Sequence, residues 1–381
     1  MEGAGSLIAL PLGLMFFFSG LFIDALQVLS VLFVLPFSRR AYRVVNMVMM
    51  ELLWSELIWL LDWWAGVKVK VYTDRQSWEL LGKEHALVIS NHRSDVDWLV
   101  GWIIAQRLGC LGGTRAVMKK STKFLPVIGW SMWFSEYVFL SRNWSKDEKV
   151  LRDGYASLKG FPRTLWVALF VEGTRFTKAK LEAAQKFAAD AGLRVPRHVL
   201  VPRTKGFVSA VENLREFVPA VYDMTVAVSK ELPDPTMIRI FRGQPSVVHV
   251  HIRRVPMSEL PQGGDEIAKW CHDAFQIKDD RLDEHEKENS FGEELYIPIA
   301  RPLGPLIIVI TWAITLLAAA WWLLRPVLTT WKGVAWLLGV LLAVMICVQV
   351  LIMSTQSERS STARKAKQKQ LAAIGSEDKK D

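Results

Sequence analysis

Cysteine is scarce in this chain of 381 residues: Cys110, Cys271 and Cys347 stand far apart and form no C-x-x-C pair. That excludes a disulfide framework and a zinc knuckle, and it favours a reducing compartment. No basic segment precedes the first apolar run; the first cations, Arg39, Arg40 and Arg43, follow it. A retained membrane anchor is therefore expected in place of a cleaved signal peptide. Internal repeats and recognised nucleic-acid modules are missing, so nucleic acid is not an expected partner. The chain also lacks a G-x-S-x-G elbow, since Gly129-Trp130-Ser131-Met132-Trp133 has no final glycine, and Cys110 has no base beside it in sequence. Covalent acyl-enzyme chemistry is not expected.

What the chain does have is apolar residues, 51% of the total with 17 tryptophans, and a mean hydropathy of +0.19. A disordered or purely soluble protein is excluded, and a membrane protein is the class to test. Residues 7–37 exceed the ~20 apolar residues that cross a bilayer, and the arginines behind them put that end in the cytosol. Residues 42–65 carry Glu51, Ser55 and Asp62 near one helical angle. This predicts a helix lying in the membrane surface with Trp54, Trp59, Trp63 and Trp64 at headgroup depth, a second full span being the alternative. Residues 303–324 and 334–353 read as a transmembrane hairpin, with a basic disordered tail behind it. The expected division is 1–66, membrane anchor and interfacial helix; 67–300, one α/β domain; 301–353, hairpin; 354–381, tail.

The formal net charge is +9, concentrated between residues 115 and 205, where 18 basic residues meet 7 acidic ones. An anionic group is expected to bind there. Residues 259–294 carry 12 acidic residues against 4 basic, and residues 278–289 read as a solvated connector. Within 67–300, short β-rich runs at 67–72, 86–90, 116–118, 138–141 and 165–171 alternate with amphipathic stretches at 146–158, 178–191 and 265–275. That alternation predicts a mixed, largely parallel sheet flanked by helices.

Two of those runs end in chemistry. The run 86–90 feeds Asn91-His92-Arg93-Ser94-Asp95-Val96-Asp97, placing a histidine at a strand's end and a carboxylate five residues on. If a helix starts near Ser94 or Asp95, Asp97 can fold back on one ring nitrogen of His92 and leave the other as a base for an alcohol. The run 165–171 empties into Glu172-Gly173-Thr174-Arg175, offering a tight turn, a hydroxyl and a planar fork suited to a phosphate monoester. A surface turn with a helix-capping Thr is the bland alternative. Lys120 and Arg142 are further cations after apolar strands. Val218 and Pro219 lie in an apolar segment that either walls an acyl chain or forms core. His249 and His251 share a strand face without a third ligand, so stacked surface histidines are expected and no metal is assigned.

The N-H-x4-D block, the F-x-x-R block ending at Arg142, the E-G-T-R block and the V-P block at Val218-Pro219 occur in one order across residues 90–223. Together they resemble the glycerolipid acyltransferase family. The stretch from Lys120 to Trp130 and Val201-Pro202-Arg203-Thr204-Lys205-Gly206-Phe207 are similar to the larger eukaryotic, plant-type reticulum lysophosphatidate acyltransferases. The resemblance implies transfer of a fatty acyl group from acyl-CoA, a co-substrate, to the sn-2 hydroxyl of lysophosphatidate at an endoplasmic reticulum membrane, with the catalytic domain on the cytosolic face and no cofactor. It implies His92 as base and Asp97 as its orienting partner. The phosphate falls to Arg142, Glu172, Gly173, Thr174, Arg175 and Lys120, and the acyl chain to Val218 and Pro219. Lysophosphoinositide, lysocardiolipin or glycerol 3-phosphate as acceptor, and a non-enzymatic lipid-surface protein, are the alternatives.

Overall fold

The computed structural model describes residues 2–292, 296–297, 300–340, 342–343 and 346. Among these residues eight strands form one sheet: β1 (Lys68–Thr73), β2 (Ala86–Ser90), β3 (Thr114–Lys119), β4 (Val138–Leu140), β5 (Trp166–Leu169), β6 (Ala220–Val228), β7 (Val247–Pro256) and β8 (Tyr296–Ile297). Their order is β4-β3-β5-β2-β6-β7-β1-β8. The first five run parallel, with Ala86 beside both Trp166 and Ala220 and Val117 beside Val138. The strand β7 is antiparallel to β6, and β1 runs parallel to β7. The expected mixed, largely parallel sheet is what forms. Every residue of β2 is buried, which is why it reads as a continuous apolar run rather than an alternating one.

The helices are α1 (Glu2–Phe33), α2 (Arg39–Trp59), α3 (Arg75–Leu80), α4 (Asp97–Arg107), α5 (Ile128–Phe134), α6 (Trp144–Ser157), α7 (Lys178–Asp190), α8 (Thr204–Leu214), α9 (Met237–Phe241), α10 (Gly264–Glu288) and α11 (Gly304–Leu328). Two cores sit on opposite faces of the sheet. Trp54, Leu61, Val88, Ile103, Tyr222, Met224 and Val250 pack under α2 and α4. Leu87, Ile89, Val167, Phe207, Leu214, Val221 and Phe275 pack under α6, α8 and α10. Odd and even strand positions thus serve different cores, as the two-residue period requires.

Among the described residues three helices are long and apolar enough to cross a membrane: Leu10–Phe33, Arg39–Trp64 and Gly304–Leu328. The polar stripe of α2 does not face a headgroup layer. Asn46, Ser55, Glu56 and the following Asp62 are buried against protein: Gln27 Nε2 of α1 donates to Asn46 Oδ1 at 2.9 Å and Ser19 Oγ to Glu56 at 2.9 Å. Asp62 pairs with Arg107 of α4 and with Arg301. The stripe is amphipathic because α2 docks on the α/β domain. Residues 331–340 are helical; most of the expected second hairpin arm and all of the tail 354–381 lie outside the described residues.

Two other expectations change. Residues 278–289 are not a solvated connector: α10 runs unbroken to Glu288 and is closed by Asn289 in the left-handed conformation. Lys278 is fully buried, its Nζ donating to Asp223 Oδ1 at 2.6 Å, Met224 O at 2.5 Å and Thr225 Oγ1 at 3.2 Å. His249 and His251 are buried, not on the surface. His249 meets His285 at 2.9 Å and His251 meets Arg281 at 2.9 Å, both beneath α10.

Candidate active site

Parallel strands β2, β3, β4 and β5 end on one edge of the sheet, and that edge gathers His92, Asp97, Lys120, Arg142 and the Glu172–Arg175 turn. Past Ser90, Asn91 extends the sheet with its side chain: its Nδ2 donates to Val226 O at 2.9 Å and its Oδ1 accepts from Val226 N at 2.8 Å. That amide bridge fixes where the chain leaves β2. His92 follows, and Asp97 begins α4, where a carboxylate is favoured by the helix dipole. Asp97 Oδ2 accepts from His92 Nδ1 at 2.9 Å and from Ser94 N at 2.8 Å. Burial pushes the Asp97 carboxyl above the usual carboxylate range, while the His92 and Ser94 donors oppose that push. With Nδ1 engaged, Nε2 is the basic atom left on His92. The ring is stacked on Phe170, centroids 4.4 Å apart.

Glu172 departs from the expected role. It is buried, and its carboxylate accepts from His92 N at 3.0 Å and from Leu200 N at 3.3 Å; burial pushes it up to about 8. That carboxyl group is engaged by two backbone N–H groups and ties His92 to the loop before α8. A second tie, Phe176 N to His92 O at 2.7 Å, holds the His92 loop to the Glu172–Arg175 turn. Gly173 has φ +68°, a turn that a side chain would strain. Thr174 Oγ1 accepts from Lys180 Nζ at 2.6 Å, so its hydroxyl is committed within the loop. Arg175 Nη1 pairs with Asp95 Oδ2 at 3.1 Å, both side chains about one-fifth exposed.

Lys120 opens the 3-10 turn Lys120–Phe124 directly after β3 and is exposed, as is Arg142 after β4. They share the rim but not the turn: Arg142 stands two strand spacings from β5, roughly 10 Å. Val218 and Pro219 are a clear correction. They precede Ala220, which lies beside Ala86 at the start of β2, so they belong to the opposite edge, roughly 20 Å from the histidine. Val218 is buried in the core under α8.

The apolar space beside the histidine is elsewhere. A cavity of about 90 Å³ is lined by Asp97 and Phe170 at one end and by Thr114, Arg115, Tyr137 and Trp166 at the other. Gly101, Trp102, Ala168, Met224 and Val226 line its flanks. The pairing of Thr114 with Trp166 at the start of β3 and β5 makes that far end the floor. From Trp166 to Phe170 the strand rises about 13 Å. No local sequence signal marks this cavity, because its walls come from β3, β5, β6 and α4 together. Sequence reasoning also missed Lys180, a cation three residues into α7, and Asn91 as an anchor.

The thiol of Cys110 is pushed up to about 12 by burial, which removes it as a nucleophile. Among the described residues no three His, Cys, Asp or Glu side chains are grouped to hold a metal ion.

A mixed α/β sheet carrying a histidine–carboxylate pair whose Asp97 lines an apolar cavity defines a class, a fold suited to activating a hydroxyl beside an apolar chain. The acyltransferase family model matches residues 68–229 and an acyltransferase C-terminus model matches 239–312. The chain is 56% identical to the 1-acyl-sn-glycerol-3-phosphate acyltransferase 2 of Brassica napus, over 94% of this chain and 93% of that protein. It is 49% identical to the 1-acyl-sn-glycerol-3-phosphate acyltransferase 3 of Arabidopsis thaliana, over 97% and 99%. With the human 1-acyl-sn-glycerol-3-phosphate acyltransferase gamma it shares 37% over 81% of each chain. The chain belongs to the acyltransferase family.

Proposed function

We propose that this protein transfers a fatty acyl group from acyl-CoA to the sn-2 hydroxyl of lysophosphatidate, giving phosphatidate and CoA. The observation that carries the reading is the 2.9 Å contact of His92 Nδ1 with Asp97, which lines the cavity, together with the names of the relatives. Asp97 orients the ring and stabilises the imidazolium. His92 Nε2 takes the proton of the acceptor hydroxyl while its oxygen attacks the thioester carbonyl. The tetrahedral intermediate collapses, the C–S bond breaks, and the imidazolium returns the proton to the CoA sulfur. The enzyme is unchanged after one turnover, and the step needs neither metal nor cofactor. General-base help of this kind contributes about 10²- to 10⁴-fold in rate. The fatty chain lies in the cavity between α4 and the sheet.

The same reading places the protein in the endoplasmic reticulum membrane with its domain on the cytosolic side, where acyl-CoA is available. The three apolar helices support membrane attachment. So do Phe124, Leu125, Trp130 and Trp133, which are exposed beside Lys120 and Lys123, in and before a helix packed on α1. Gly20 of α1 lets that contact close, since a Cβ there would lie 2.1 Å from Val127 Cγ1.

The test is transfer of labelled oleate from oleoyl-CoA by microsomes holding equal amounts of wild type or His92→Ala. Lysophosphatidate, glycerol 3-phosphate, lysophosphoinositide and lysocardiolipin are offered in parallel. Lysophosphatidate is expected to be acylated well above the others, and only by the wild type. Preference for another acceptor would keep the chemistry and reassign the substrate; a mutant as active as the wild type would remove His92 as the base.

A further inference from the structure

We infer that Arg203, which leads into α8, binds a phosphate monoester over the Glu172–Arg175 turn; the inference rests on the acyl-transfer reading above. A Cβ on Gly173 would lie 3.0 Å from Arg203 Cδ, 3.3 Å from Nε and 3.7 Å from Cζ. The guanidinium stem therefore lies against the one position in the turn that has no side chain. Its backbone is fixed there as well, since Arg203 N donates to Val171 O at 2.7 Å.

The neighbouring cations are already engaged. Arg175 is paired with Asp95, and Lys180 Nζ donates to Thr174 Oγ1 at 2.6 Å and to Arg175 O at 3.0 Å. The Arg203 guanidinium makes no hydrogen bond or ion pair among the described residues, and the residue is exposed. Two residues on, Lys205 Nζ stands 5.6 Å from the Trp144 ring, so the segment runs from the turn towards the loop that carries Arg142. An unpaired planar fork at this point matches the bidentate geometry of a phosphate. Glu172 and Phe176 tie the turn to both the N–H and the C=O of His92. A phosphate held by Arg203 is thereby set at a fixed offset from the base, which is what positioning an acceptor hydroxyl requires.

Two reactants carry a phosphate monoester: lysophosphatidate, and CoA through its ribose phosphate. The experiment separates them with full-length enzyme in detergent, wild type against Arg203→Ala and Arg203→Lys, varying each substrate at saturation of the other. Acyl-pantetheine, which lacks the nucleotide phosphates, serves as a second donor. The expected result is a KM for lysophosphatidate raised about 10- to 100-fold in Arg203→Ala, with partial recovery in Arg203→Lys. The KM for oleoyl-CoA and the thermal midpoint stay unchanged. If instead the oleoyl-CoA KM rises and acyl-pantetheine is used equally by wild type and variant, the phosphate is that of CoA and the site stands. If neither KM moves while the wild type acylates lysophosphatidate, the inference is overturned and the function survives. A wild type unable to acylate lysophosphatidate would count against the function itself. Should Arg203→Ala accumulate poorly, Arg203→Gln, which keeps most of the stem, gives the same readout.

Discussion

Strand β6 has two sides that do opposite things. Met224 and Val226 face the cavity under α4, whereas Asp223 and Thr225, the alternate positions, face α10 and hold Lys278. One side leaves apolar space beside a titratable pair; the other fills its interior and matches a buried cation with a carboxylate 2.6 Å away. The difference teaches where to look for chemistry. A buried ion pair with its hydrogen bonds completed is scaffolding, because any movement would strand a charge. A polar pair that opens onto an apolar cavity can still be used by a ligand.

Substitutions that affect one side and spare the other can break that contrast. The largest effect is expected from Asp97→Asn, which removes the carboxylate that orients His92: turnover should fall about 10²- to 10⁴-fold with little change in thermal midpoint, as read by label transfer and a melting curve. Lys278→Ala leaves the buried Asp223 with only the longer 3.4 Å contact to Arg253 and should cost up to about 3–5 kcal/mol of stability. Turnover per folded molecule should stay near wild type, and a rate loss matching that of Asp97→Asn would dissolve the contrast between the two sides. A smaller pair compares cavity with core. Gly101, with nothing within 4 Å of an added Cβ, lines the cavity, so Gly101→Leu should slow transfer of long acyl chains more than short ones at unchanged stability. Ala210, fully buried under the other face, should lose about 1–3 kcal/mol as Ala210→Leu with no change in chain preference.

The last comparison is a pH slope. Glu172 lies at about 8 when folded and near the ordinary glutamate value when unfolded. Between those limits the folded state holds a proton that the unfolded state has lost, so stability falls as pH rises, by about 1.4 kcal/mol per unit. Glu172→Gln cannot titrate and should flatten the slope between pH 5 and 8; an unchanged slope would show that the Glu172 carboxyl is not the group responsible.

The strands β2 and β5 were legible in the chain because a strand buried on both faces is continuously apolar, and each ends abruptly in charged residues. His92 and Asp97 were legible for the same local reason, since six consecutive residues fix a strand end and a helix start. What the chain hides is partnership at a distance. The composition of residues 278–289 points to solvent, yet Lys278 is buried because Asp223, 55 residues earlier, waits under it. The stripe Glu51, Ser55 and Asp62 has the period of a surface helix, but it meets protein: Glu51 accepts from Gly112 N at 3.4 Å. Val218 and Pro219 have the composition of a chain-binding wall and the position of a strand entry. The cavity itself comes from many separated elements, among them β2, β3, β5, β6 and α4, and only the register of β3 with β5 shows which end lies farthest from the histidine.

The account stands or falls on whether an acyl chain enters that cavity from the His92 end. The most direct measurement is photo-crosslinking of the full-length enzyme with two acyl-CoA analogues, one bearing a diazirine near the thioester and one at the end of the chain, followed by mass spectrometry of the modified peptides. The expected labels are Asp97–Gly101 or Phe170 for the first and Thr114, Arg115, Tyr137 or Trp166 for the second. Labels from both probes confined to α10 or to residues 217–219 would contradict it.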